Sequence, residues 1–506
     1  MNKFLSFLLF AMAADPLASQ QADQQSAEAA AAQATNGLGV DLYRALAGAQ
    51  GTTNLCLSPY SLAVALAMTA EGARDETAAE MLRVLHCAEV APLATVHAAF
   101  AALARQLREG AGDPSPELLE RIQQLRQQLD AANQQAGQLS ADSKYDAANA
   151  AAINAQRLAV ELNRLLPRVQ RYDLRVANAL WVERSFDLLP DYVTAIDRWY
   201  GTGGVHALDI AGNTEAARQT INGWVEDNTN RRIRDLIPAR GLATDTRLVI
   251  TNAVWFLGEW ATPFSASATK ENDFLLAGGQ RTKVQLMRDS GRDSVPYAAF
   301  TGKGVFFETP REVPAGPGPQ PVTYPDSAGF LMVELPYKGD QLAMVVLLPR
   351  EPDGLPHLES MLTSASLAEW LGHLRPRAVD TALPRFKSSA AMDLAQPLQA
   401  LGMRRAFVSP ASPDGAQFGG MSAANDPARQ LFIGGVRQQT WIEVDEKGTE
   451  AAAATAVMMA PGSAMPNRTM VAFTPVFRAD RPFVYLIRDR RSGAILFLGR
   501  HVDPRA

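Results

Sequence analysis

The sequence predicts one large α+β domain, and three observations carry that expectation. Apolar residues at helical spacing fill most of the first 170 positions, whereas runs rich in Val, Leu, Ile, Phe and Trp dominate from residue 172 onward. Helices early and long antiparallel-type strands late fit α+β architecture rather than an alternating strand–helix chain. Finally, 47% of the 506 residues are apolar, enough to bury one extensive core.

The chain opens with Lys3, the apolar run Phe4 to Phe10 and the small-x-small pattern Ala11-Met12-Ala13. Residues 1–13 are therefore expected to be a cleaved signal, and the protein to be secreted (extracellular or periplasmic). Residues 14–36, rich in Gln and Ala with little to pack, are expected to be a disordered lead-in to a domain over 37–506. Within it, Val40, Leu42, Tyr43, Leu46 and Ala47 give a helical stripe closed by Gly48 and Gly51. A short strand at Asn54-Leu-Cys-Leu57 leads into Ser58-Pro59, a cap followed by a first-turn proline. The helix it opens, over 60–70, is apolar nearly all round and should be buried. Further helices are expected at 75–86 and 93–108.

Residues 109–171 differ in composition, being rich in Gln, Ala, Arg and Leu. Leu118, Ile122, Leu125, Leu129, Ala132, Ala136 and Leu139 step by threes and fours, and Ala151, Ala155, Leu158, Leu162 and Leu165 do so again after a polar break. The pattern predicts an inserted helical hairpin whose stripes face each other, a solvated decoration rather than a binding site. Beyond it, strands are expected at 172–182, 246–257, 329–335 and 342–348, with helices at 190–200, 214–228, 358–374 and 391–401. The proline-rich stretch 302–326 reads as an exposed loop insertion. Strands at 483–488 and 494–500 close the chain.

Several function classes are disfavoured. A net charge of −5 offers no basic face for nucleic acid, and no apolar run reaches the ~18 residues that cross a membrane. Two cysteines, Cys56 and Cys87, rule out a disulfide framework and an ordinary Cys-based zinc site; two buried free thiols are expected rather than one bridge. The six histidines (His86, His97, His206, His357, His373 and His501) lack metal-ligand spacing. Gly420-Met-Ser-Ala-Ala424 lacks the last glycine of a nucleophile elbow, and no phosphate-binding or dinucleotide fingerprint is present. No enzyme activity, cofactor or metal is expected.

One segment is unlike its surroundings. After the tight turn Asp445-Glu446-Lys447-Gly448 comes a run of small residues with no charge after Glu450 and no proline before Pro461. A flexible linker would favour Gly and Ser, whereas this run is Ala and Thr. It reads as a strand held in reserve. Every second side chain would have to fit a closed interior on insertion, and Thr449, Ala451, Ala453 and Thr455 all would.

Motifs spread over most of the chain resemble the serpin family. They are Asn54…Ser58-Pro59-x-Ser61-Leu62 with Glu71-Gly72-Ala73; Ala177-Asn178-Ala179-Leu180-Trp181; Ile221-Asn222-Gly223-Trp224; Thr251-Asn252-Ala253-Val254-Trp255-Phe256 with Gly258 and Trp260; Glu334-Leu335-Pro336-Tyr337; Leu383-Pro384-Arg385-Phe386; Glu443 to Thr455; and Phe477 to Ile487. The resemblance implies about nine helices and three β-sheets with an exposed reactive-centre loop. It further implies suicide-substrate inhibition: a serine protease cuts the loop, which inserts into the central sheet while the protease is still held as an acyl-enzyme. The hinge would be Glu446, Gly448, Thr449, Glu450, Ala451, Ala452, Ala453, Ala454 and Thr455. Ser58, Ser61 and Asn252 match the polar shutter beneath the opening, with Gln438 where the family usually has histidine, and Trp260 matches the breach above it.

Two rulers give different cut sites. Counting from the hinge glycine gives Gly462–Ser463, the preferred bond, which suits an elastase- or subtilisin-like protease. Counting back from Arg481-Pro482-Phe483 gives Met465 or Arg468, which suit chymotrypsin- or trypsin-like enzymes. The implied partner is a serine protease, and the inhibitor is expected to be a monomer with no nucleic-acid or membrane partner. The competing reading is a non-inhibitory carrier or chaperone-like binding protein, whose hinge would typically carry bulky, charged or proline residues. A third, a scaffold acting through 109–171, would need an apolar patch on that hairpin.

Overall fold

The computed structural model describes residues 16–505 apart from 50, 52, 89–92, 112–115, 142–143, 166–171, 202–203, 315–323, 423–429 and 450–469. Helices dominate its first third: α1 (Pro16–Ala49), α2 (Pro59–Glu71), α3 (Asp75–Val84), α4 (Leu93–Ala111), α5 (Pro116–Ala141) and α6 (Tyr145–Leu165), with the single short strand β1 (Leu55–Leu57) among them. Then come β2 (Tyr172–Glu183), α7 (Pro190–Tyr200), β3 (Val205–Leu208), α8 (Thr214–Asn228), β4 (Leu248–Glu259), β5 (Lys270–Leu275), β6 (Arg281–Phe300), β7 (Phe306–Phe307) and β8 (Glu312–Pro314). The chain continues through β9 (Phe330–Pro336), β10 (Leu342–Pro349), α9 (Leu355–Met361), α10 (Ser364–Gly372), β11 (Arg375–Pro384), β12 (Phe386–Asp393) and α11 (Ala395–Ala400). It closes with β13 (Ile433–Val444), β14 (Gly448–Thr449), β15 (Met470–Ala472), β16 (Val476–Arg478), β17 (Phe483–Asp489) and β18 (Ile495–His501). The eleven α-helices among the described residues are the nine or so expected plus the two of the inserted hairpin.

The strands of the described residues form three sheets. One has ten strands, along the order β1-β18-β17-β10-β9-β6-β11-β16 with β5 and β7 also on β6. A six-stranded sheet follows the order β12-β13-β4-β2-β3, with β14 on β4, and a two-stranded one pairs β15 with β8. In the six-stranded sheet β4 is central and buried on both faces. Leu248, Ile250, Val254 and Phe256 point into the main core, while Val249 and Ala253 meet Ile221 and Val225 of α8 on the other face. This is the alternation of a pleated strand with two apolar faces.

The α2 segment is buried from Pro59 to Ala70, and Ser58 caps it by accepting from the Ser61 amide. The lead-in expectation is corrected over 16–36, which lie in α1, with Ala31, Ala32 and Ala34 buried against the core. Gly37 and Gly39 lie inside α1, where there is no room for a side chain. A Cβ on Gly37 would sit 2.6 Å from the His86 ring, and one on Gly39 2.5 Å from Pro59. Their helix cost of about 1 kcal/mol each is offset by close packing. The expected signal at 1–13 lies outside the described residues.

The expected insertion of 109–171 begins later in the structure, since 109–111 end α4; α5 and α6 pack through Ile122, Leu125, Ala132, Ala155, Leu158 and Leu162, a cluster separate from the main core. The single helix expected at 358–374 is divided into α9 and α10, because Thr363 and Ser366 form a reciprocal capping box. Both cysteines are free and buried. The 302–326 insertion is more than an exposed loop, since β7 pairs with β6 and β8 with β15.

Candidate functional site

The central sheet has an unusual seam. β13 and β4 run parallel and pair from Ile433↔Leu248 to Trp441↔Trp255, whereas β2–β4 and β12–β13 are antiparallel. Above Trp441, β13 pairs on through Ile442, Glu443 and Val444 with β12 alone. The chain then turns back, and β14 occupies the mouth of the seam, antiparallel to β4, with Gly448 opposite Glu259 and Thr449 opposite Gly258.

The turn is closed by Asp445, whose Oδ1 accepts from the amides of Lys447 (2.9 Å) and Gly448 (3.1 Å). Position 448 requires glycine here because a Cβ would sit 2.1 Å from the Gly258 carbonyl oxygen. Trp260 fixes the mouth from the β4 side. Its amide donates to the Lys447 carbonyl (2.7 Å), its Nε1 to the Asp445 carbonyl (2.9 Å), and its ring stacks on Tyr337 at 4.6 Å. The Phe264 amide donates to the Glu446 carbonyl at 2.7 Å.

Glu446 is buried beneath this turn and is held by Arg385, whose Nε and Nη2 donate to the carboxylate at 2.6–2.9 Å, and by the Thr269 hydroxyl. Burial alone would raise this carboxyl, but the guanidinium and the hydroxyl outweigh it and hold it below the usual value. The bidentate geometry makes this ion pair a strong one.

Lower in the seam lies a buried polar cluster. Gln438 and Asn252 are register partners across the parallel pair, and Gln438 Nε2 donates to Asn252 Oδ1 at 2.6 Å. The same amide group donates to the Ser58 carbonyl (3.1 Å) and accepts from the Ser58 amide (3.0 Å). Asn252 donates to Ser61 Oγ and to Asn178 Oδ1, and Ser61 Oγ donates to Asn178 Oδ1 at 2.8 Å. Ser58, Ser61, Asn252 and Gln438 are wholly buried, so the bonds among them are made away from water.

The structure thus brings the four expected shutter residues together, and it places Trp260, Glu446 and Gly448 at the mouth. The backbone of Thr449 is in β14. Glu450, Ala451, Ala452, Ala453, Ala454 and Thr455, and the expected cut positions Gly462, Ser463, Met465 and Arg468, lie outside the described residues. Sequence reasoning missed Asn178, Arg385 and Thr269. Asn178 had a signal: Ala177-Asn178-Ala179 and Thr251-Asn252-Ala253 are matching triplets that pair directly, Asn178↔Asn252. Nothing local marked Arg385 or Thr269 as partners of Glu446, which is 61 and 177 positions away respectively.

The family model described as "Serpin (serine protease inhibitor)" matches residues 33–129 and 123–504. An uncharacterized serpin-like protein of Thermococcus kodakarensis is 32% identical over 93% of this chain and 85% of its own length. The leukocyte elastase inhibitor of Bos taurus is 30% identical, over 92% of this chain and 97% of its own. Among solved structures, human thyroxine-binding globulin in complex with thyroxine superimposes with a TM-score of 0.66, at 22% identity, over 94% of this chain and 99% of its own.

Proposed function

Because this chain belongs to the serpin family, we propose that it is an inhibitory member: a suicide substrate that traps a serine protease by inserting its cleaved loop between β13 and β4. The seam itself supports this reading. A strand admitted between two parallel strands can run antiparallel to both, and β14 already stands at the mouth in that orientation.

Continuing the register from Gly448↔Glu259 and Thr449↔Gly258 puts Ala451 opposite Phe256, Ala453 opposite Val254 and Thr455 opposite Asn252. Those β4 residues are fully buried on the core face, so small side chains are what the space admits. The same register reaches Leu248, the lower end of β4, at Met459, so a cut at Gly462–Ser463 falls just past that end. A protease still bound there is carried the full length of the sheet. Roughly ten new ladder hydrogen bonds, at ~1 kcal/mol each, would release on the order of 10 kcal/mol. A typical domain is stable by about 5–15 kcal/mol, so insertion is large enough to distort the protease.

The reading includes a monomer, an elastase- or subtilisin-like target, and export directed by residues 1–13. Incubating the full chain with a panel of serine proteases tests it. The expected product with one target is a complex that survives boiling in detergent, and a released C-terminal fragment that begins at Ser463 by mass spectrometry. Cleavage by every protease without a complex favours the carrier reading. A fragment beginning at Pro466 or Thr469 moves the cut and the target class.

A further inference from the structure

The insertion after β6 builds a cavity far along the chain from the hinge. Phe306 and Phe307 extend the edge of β6, opposite Phe300 and Ala299. Next, β8 pairs with β15, with Val313 opposite Val471, and the Phe473 amide donates to the Arg311 carbonyl at 2.8 Å. These two segments and the start of β11 enclose a cavity of about 260 Å³ that opens to solvent.

Three arginines line it: Arg311, Arg375 and Arg377. Arg377 donates to the Thr309 hydroxyl (2.6 Å) and to the carbonyls of Pro310 (3.0 Å) and Phe473 (2.9 Å), tying the insertion to the chain that returns from the loop. Arg375 donates to the carbonyls of Gly372 and Leu374. None of the three pairs with a carboxylate among the described residues. Glu308 also lines the cavity but is exposed and makes no ion pair with them. Burial, with the charge of Arg311 adding to it, works against the Arg377 cation. Arg377 is half-buried in the recess, Arg311 and Arg375 reach it from the exposed rim, and an anion among the three would relieve their mutual repulsion. The remaining wall is aromatic: Phe306 lies flat on His373 at 4.5 Å, and the rings of Tyr297 and Phe473 lie against Arg377.

We propose that this cavity binds a small aromatic anion, its carboxylate, sulfonate or phosphate meeting the three guanidiniums and its ring lying against Phe306 and Phe473. Such a site combines charge-assisted hydrogen bonds with a stacking surface, as ligand pockets of few polar groups on apolar walls do. Two of its walls are the insertion and the segment leading out of the reactive loop, so an occupant braces the loop's return strand. The site does not depend on loop insertion.

The test is calorimetric titration of the full chain with 1-naphthoate and with its neutral counterpart 1-naphthamide. One saturable site is expected for naphthoate, with the amide at least about tenfold weaker. Arg311→Gln removes a side chain that makes no hydrogen bond or ion pair among the described residues, and it should weaken naphthoate about five- to tenfold while leaving the amide unchanged. Arg377→Gln should abolish binding, but Arg377 also clamps backbone, so Arg311 is the deciding position. No saturable binding up to about 5 mM, equal binding of acid and amide, or unchanged affinity in Arg311→Gln each overturns the proposal.

Discussion

Replacing Gln438 by leucine tests the seam most directly. Leucine keeps much of the volume but can neither donate nor accept. The closed sheet then loses the bond to Asn252 Oδ1 and both bonds to the Ser58 backbone. The Ser58 carbonyl keeps the Leu62 amide as a partner, so two buried groups are left stranded, the Ser58 amide and Asn252 Oδ1. At ~1–3 kcal/mol per stranded group, the closed form is destabilised by about 2–6 kcal/mol. Unfolding entropy of roughly 2 cal/mol/K per residue gives about 1 kcal/mol/K for a chain of this size, so its Tm should fall by about 2–6 °C. The inserted form should respond less. Admitting a strand moves β13 from ~4.8 to ~9.6 Å from β4, so the bond to Asn252 is absent there in any case. That difference, about 1–3 kcal/mol, should speed spontaneous conversion to an inactive, inserted form about five- to 150-fold. The assay is the loss of inhibitory titre on incubation, alongside the melting of uncleaved and loop-cleaved protein. Equal Tm losses in the two forms, or an unchanged conversion rate, would refute the argument that the Gln438–Asn252 bond holds the sheet closed.

Ala453→Arg should turn inhibitor into substrate, because the proposed insertion sets position 453 opposite Val254, which is wholly buried, and an unpaired charge there costs several kcal/mol; the stoichiometry of inhibition measures it, and an unchanged value counts against insertion. Arg385→Gln should lower the Tm at neutral pH, and the pH dependence has a definite sign. The Glu446 carboxyl is depressed in the folded protein, so its contribution is present above the ordinary carboxylate range and disappears as pH falls through the lowered value. The Tm gap between parent and variant should therefore close in strong acid; a constant gap would mean that Arg385 acts through packing. Replacing 112–171 with a short loop should leave folding and trapping intact, since the hairpin core is separate from the main one; insoluble protein after deletion would show otherwise.

By itself the sequence determined the features that rest on local chemistry. The Ser58-Pro59 cap and the unbroken apolar face after it specify a buried helix, and stepped leucines specify a self-packed hairpin, because periodicity and capping act within a few residues of chain. The tight turn that ends at Gly448 was legible for the same reason. The tertiary structure alone decided what depends on distant segments meeting. Nothing local explains Gly37 and Gly39 inside a helix until His86 and Pro59 are seen pressed against them. Asn178 looks like one polar residue in a strand until it faces Asn252 and Ser61. Arg385 looks like a surface charge until it reaches Glu446, and the insertion like a loose loop until β8 pairs with β15. Side-chain pattern fixes which face of a strand is buried, but the partner strand, its direction and its register are set by packing across the whole domain, and the parallel seam between β13 and β4 is a property of that packing.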